Sequence, residues 1–127
     1  MKVDRNKETR KKFITVGFLF EAAKDRFKLR SLNGENGFEN HIREKNLHRP
    51  GLALAGYVEL FTFDRVQIIG NTEIKYLNSL PLEGRRAAFT TLLEFKIPCI
   101  VLTNNNKLED LLLQAAANKG IPVFSTP

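Results

Sequence analysis

The chain of 127 residues is predicted to be one α/β domain, a small mostly parallel sheet flanked by helices. Three observations predict it. Short, mainly apolar runs recur at residues 66–69, 99–102 and 121–124, interrupted by one polar residue, Gln67. Segments with apolar residues at helical spacing lie between those runs. Gly70, Pro98 and Gly120 mark the changes of pattern. Apolar strands that alternate with helices imply a parallel sheet covered on both faces. The length suits a single domain with a real core.

Each element follows from local chemistry. Residues 1–12 are polar and basic and are expected to be a flexible segment ahead of a domain over 13–127. Thr15 is placed to cap a helix in which Val16, Leu19, Phe20, Ala23 and Phe27 recur at helical spacing. Residues 28–32 are expected to be a strand. Asn33-Gly34 and Asn36-Gly37 suit positive φ, and residues 38–43 are expected to return as the partner strand of a hairpin. Pro50 biases Arg49 toward extended backbone. Leu54, Tyr57, Val58 and Phe61 share a helical face, so a helix is expected over 52–61 despite Gly56.

Strand 66–69 is followed by Asn71, placed as a helix cap, and by Glu73 at the favourable end of the helix dipole. Ile74, Leu77 and Leu80 line the inner face of that helix. Leu82-Glu83 opens the next, striped by Ala88, Phe89, Leu92, Leu93 and Phe95. After strand 99–102 and a polar loop at 103–107, Leu108, Leu111, Leu112, Ala115 and Ala116 mark a helix stopped by Gly120. Residues 121–124 form the last strand.

Charge is unevenly placed. Residues 1–30 hold ten Lys/Arg against four acids, and the remainder holds ten of each sign, so the net +6 belongs to the first segment. No aromatic stacking platform is interleaved with those cations, so nucleic acid is not expected as a partner. No apolar run approaches the roughly 18 residues of a membrane span, and no membrane partner is expected. The single cysteine, Cys99, allows no disulfide framework, and a cytoplasmic location is expected.

Gly51 and Gly56 have the spacing of a phosphate-binding loop, but Tyr57 and Val58 stand where such a loop needs a lysine and a hydroxyl. His41, His48 and Cys99 lack metal-ligand spacing, so no metal site is expected. Ser31, Ser79 and Ser125 lack a nucleophile-elbow context. No catalytic residue and no cofactor are expected in this chain. Ligands of open α/β sheets sit beyond the carboxyl ends of strands. The candidate ligand-binding residues are therefore Arg49, Arg65, Asn71, Thr72, Thr103 and Asn104. Each has a structural alternative. Asn71 and one of Asn104, Asn105 and Asn106 would cap helices, Arg49 would bond backbone carbonyls, and Arg65 would pair with Glu73 or Asp64. Arg85 and Arg86 are expected to be solvated.

Four stretches in order carry a family resemblance: residues 48–56 (HRPGLALAG), 65–73 (RVQIIGNTE), 97–103 (IPCIVLT) and 120–124 (GIPVF). From about Thr15 to its end the chain resembles the N-terminal domain of the HPr kinase/phosphorylase family. The resemblance implies an α/β unit similar to the substrate-binding domain of the Mur ligases. The parent enzyme of that family is bacterial. It phosphorylates a seryl side chain of HPr, the phosphocarrier of the sugar phosphotransferase system, and removes that phosphate. Its catalysis, with ATP and Mg, belongs to a C-terminal domain that carries the phosphate loop, and it assembles as a hexamer. This chain ends where that domain would start, so no catalytic residue carries over. The implied role is non-catalytic, in assembly or regulation. The implied partners are a second copy, a C-terminal kinase domain and, through the full-length protein, HPr. The alternative is a freestanding module of the same fold that senses a phosphorylated or nucleotide-like small molecule at loops 70–72 and 103–106.

Overall fold

Four short strands run parallel: β4 (Leu47–His48), β5 (Val66–Ile69), β6 (Ile100–Leu102) and β7 (Val123–Ser125). An antiparallel strand, β2 (Arg30–Ser31), completes a sheet of order β2-β7-β6-β5-β4. A separate antiparallel ribbon joins β1 (Ile14–Thr15) to β3 (His41–Ile42). The computed structural model describes residues 13–44, 46–59 and 61–127. The basic segment 1–12, expected to be flexible, lies outside the described residues.

The helices follow the predicted order. Helix α1 (Val16–Phe27) is capped by Thr15, whose Oγ1 accepts from the Phe18 N–H at 3.1 Å. Then come α2 (Gly51–Leu54), α3 (Asn71–Ser79), α4 (Leu82–Leu93) and α5 (Asp110–Asn118). One face of the sheet buries Ile69, Ile100, Leu102 and Val123 against Leu77, Phe89, Leu92, Leu112 and Ala116 of α3, α4 and α5. The opposite face buries Val66, Cys99, Val101 and Phe124 against Val16 and Ile42, with Phe20 of α1 stacked 5.2 Å from Phe124. Side chains of a strand alternate between faces, so an unbroken apolar strand feeds two cores.

Three expectations are corrected. Residues 28–32 and 38–43 do not form a hairpin: Arg30 and Ser31 pair with Ser125 and Phe124, while His41 and Ile42 pair with Thr15 and Ile14. The loop between them is stapled instead to the end of α5 and the start of β7. Asn33 Nδ2 donates to the carbonyls of Leu113 and Ile121 at 3.3 and 3.0 Å, and Asn33 Oδ1 accepts from the Val123 N–H at 2.9 Å. Asn36 donates to Ala117 O at 2.8 Å, and Asn40 donates to Gly120 O at 2.8 Å and Pro98 O at 3.2 Å. Gly37, at φ +101, lies so close that a Cβ would meet Gly120 O at 2.1 Å.

The helix expected over 52–61 is a single turn, because Gly56 at φ +102 reverses the chain. Arg85 is not solvated. Its guanidinium donates to Leu77 O at 3.1 Å and Leu80 O at 3.3 Å, tying α4 to carbonyls at the end of α3, where Leu77 O also accepts the Leu80 N–H. Arg86 faces Glu109 at 3.6 Å.

Candidate functional site

The loops that leave β5 and β6 meet at the carboxyl edge of the sheet, as ligand-site topology requires. Asn106 Nδ2 donates to Asn71 Oδ1 at 2.9 Å and to Thr103 O at 2.7 Å, so one amide ties the two loops together. The Thr103 N–H donates to Ile69 O at 3.1 Å, extending the β5–β6 ladder by one bond. Asn104 and Asn105 both sit at left-handed φ, 56° and 57°, a conformation that Asn tolerates better than most residues.

Arg49 completes the cluster. It reaches from the turn before α2 to Glu73 in the first turn of α3, with Nη2 2.8 Å from Oε1. The same carboxylate oxygen accepts the Gly70 N–H at 2.8 Å. Gly70 is required by this packing, since a Cβ there would meet Arg49 Nη2 at 2.9 Å and Thr103 Oγ1 at 3.2 Å. The expected roles are therefore redistributed. Gly70, not Asn71, holds the cap position of α3, and Glu73 satisfies its N–H. Helix α5 is preceded by Glu109, so none of the asparagines at 104–106 caps it. Arg49 bonds a carboxylate rather than backbone carbonyls.

The electrostatics follow from the same contacts. Burial by itself would raise the Glu73 carboxyl. The hydrogen bonds from Arg49 and from backbone N–H groups, with the Arg49 charge, outweigh that and hold it below the usual carboxylate range. The positive end of α3 is thus already met by a carboxylate of its own chain.

Arg49, Asn71, Thr103 and Asn104 share this edge, with Thr72 on the first turn of α3. Arg65 does not. It stands at the opposite, amino end of β5, and among the described residues neither Glu73 nor Asp64 pairs with it. Its charge acts on His48 instead. Burial first, and then the Arg65 charge, lower the His48 pKa. Glu73 three residues after Gly70 is the spacing of a capping box, a signal present in the sequence. The Arg49–Glu73 pair spans 24 residues and has no local signature.

Two reactive possibilities raised by the sequence can be followed in the structure. Burial pushes the Cys99 thiol up to about 12, so it is no nucleophile at neutral pH. Among the described residues no group of three or more His, Cys, Asp or Glu is placed to hold a metal ion. No described helix is long and apolar enough to cross a membrane.

Comparison with known proteins agrees with this architecture. The sequence profile described as HPr Serine kinase N terminus matches residues 14–127. An HPr kinase/phosphorylase of Chlorobium phaeovibrioides is 51% identical over 122 residues, covering 94% of this chain and 37% of the relative. That of Chlorobaculum tepidum is 50% identical, covering 94% and 36%. That of Chloroherpeton thalassium is 45% identical over 124 residues, covering 96% and 36%. The chain thus spans little more than a third of the length of these relatives. The crystal structure of the CBS and DRTGG domains of the regulatory region of Clostridium perfringens pyrophosphatase, complexed with its activator diadenosine tetraphosphate, has a similar fold. Its TM-score is 0.56 at 14% identity, covering 98% of this chain and 50% of that one.

Proposed function

The chain belongs to the HPr serine kinase N-terminus family, and we propose that it serves as the non-catalytic, regulatory or assembly domain of an HPr kinase/phosphorylase. One observation carries this reading: the family match runs from residue 14 to 127, and about half of the aligned residues are identical to enzymes of that name. The chemistry of the chain supports it. Phosphoryl transfer needs groups that cradle phosphates and hold a metal ion. The only glycine pair with phosphate-loop spacing is followed by Tyr57 and Val58, and Gly51 opens a packed helical turn. The phosphate loop, ATP and Mg are therefore assigned to a C-terminal kinase domain. HPr is the protein substrate of the whole enzyme, and the setting is the cytoplasm.

The test has two steps. An antibody against this domain, applied to lysate of the source organism, is expected to detect a polypeptide larger by roughly one further domain of about 150 residues. Kinase and phosphorylase rates on HPr are then compared with and without residues 1–127. The expected result is retained chemistry with altered regulation or assembly in the shortened enzyme. A native polypeptide no larger than this chain, binding neither a kinase domain nor HPr, would overturn the reading.

A further inference from the structure

We infer that the groove beside the carboxyl edge of β7 is a binding site for a small organic anion, a phosphate ester or a carboxylate with an apolar body. It is a different place from the Arg49–Glu73 cluster, and the inference does not depend on the regulatory role proposed above. The groove has a volume of about 580 Å³, inside the range of roughly 300–1,000 Å³ typical of small-molecule sites.

Cations and leucines line the groove together. Arg30 stands on β2, at the open edge of the sheet, and Lys107 stands on the loop that leaves β6. No carboxylate lines the space between them. Among the described residues neither cation has an acidic partner within 4.0 Å. Glu109, two residues beyond Lys107, faces Arg86 instead. Two unneutralised cations across a groove create a field that favours an anion.

The floor supplies the apolar half. Leu32, Leu108 and Leu113 line the groove, and all three pack against the main core beneath it, so the surface is held in shape before any ligand arrives. Asn105 adds a polar side chain with no hydrogen-bond partner among the described residues. Its backbone is held, since its N–H donates to Thr126 O at 3.2 Å. A fixed apolar floor with a few convergent polar groups is the usual make-up of a ligand site. The neighbouring Asn106 amide reaches Asn71 on α3, so occupancy of the groove is connected to the loop that opens α3.

The experiment is an amide-resolved NMR titration of the 127-residue chain with phenyl phosphate, benzoate, benzyl alcohol and inorganic phosphate. Saturable shifts confined to residues near 30–32, 104–108, 113 and 125 are expected with phenyl phosphate or benzoate. Binding of the neutral alcohol and of bare phosphate is expected to be at least about tenfold weaker, because each lacks one half of the recognition. Arg30→Ala and Lys107→Ala are each expected to weaken binding about five- to tenfold. Both side chains lie at the surface, so unchanged resonances elsewhere verify the fold. Preference for phenyl phosphate assigns a phosphate ester, and preference for benzoate assigns a carboxylate. Absence of saturable shifts in this groove, or equal binding by the Arg30→Ala Lys107→Ala double variant, overturns the inference.

Discussion

Two asparagine-rich loops sit at opposite ends of the sheet and use the same residue type in opposite ways. In the loop over 33–40 the amides of Asn33, Asn36 and Asn40 all donate to backbone carbonyls of α5, its C-terminal turn or the segment before β6. The loop over 103–106 sends one amide, that of Asn106, to its neighbours and leaves Asn104 and Asn105 at the surface. An Asn that completes a buried backbone is part of the fold. An Asn held in left-handed backbone at a strand's carboxyl end, with its side chain at the surface, adds no side-chain bond to the fold. The first loop replaces a missing hairpin. The second shapes a surface.

Substitutions should separate the two loops by size of effect. Gly37→Ala is the severest, combining positive φ with a Cβ that would meet Gly120 O at 2.1 Å. A loss of about 3–5 kcal/mol is expected, from backbone strain plus overpacking. Urea unfolding measures it, and a loss under about 1 kcal/mol would show that the loop is not docked as described. Asn33→Ala removes three hydrogen bonds and strands their partners, for an expected loss of about 2–3 kcal/mol in the same assay.

Glu73→Gln tests the anchor at the other end. The folded carboxyl lies below its ordinary value, so its stabilisation is present in full above the unfolded value of about 4.3 and is lost as pH falls through the folded one. The variant is expected to lose about 1–2 kcal/mol at neutral pH and to show a flatter acid limb below about pH 4.3. Thermal melts from neutral to acidic pH check both, and an unchanged acid limb would remove the Arg49–Glu73 clasp from the account. The smallest effect is expected for Asn104→Gly, within about 0.5 kcal/mol of the parent, since no side-chain bond is lost and the left-handed backbone suits Gly. A large loss there would erase the contrast between the loops.

The parts legible in the sequence were those written in local patterns. The short, mainly apolar runs located β5, β6 and β7, with the last shifted toward Ser125 by Pro122. Thr15 announced its helix through capping chemistry. The two Asn-Gly pairs correctly marked positive φ at Gly34 and Gly37. They did not reveal what the turn was for, because β2 finds its partner in β7, more than ninety residues away. At the site, topology identified the two loops that meet. The pairing of charges was not readable, since Arg49, Arg65, Glu73 and Asp64 offer several combinations and only packing selects one. Gly70 is the clearest case. It looked like a strand terminator, and it proves to be the space into which Arg49 and Thr103 fit.

The burial of Cys99 has a practical consequence. Its thiol is shielded and held protonated, and its carbonyl accepts the Gln67 N–H at 3.1 Å, between the two central strands. Because the chain has one cysteine, a thiol reagent reports on one place, the core between the sheet and α1 in which Cys99 packs with Val16 and Phe124. Labelling kinetics under native conditions therefore act as a built-in clock for rare openings of that core. Ligand in the groove or a neighbouring kinase domain would slow that clock in proportion to how strongly it holds the domain closed.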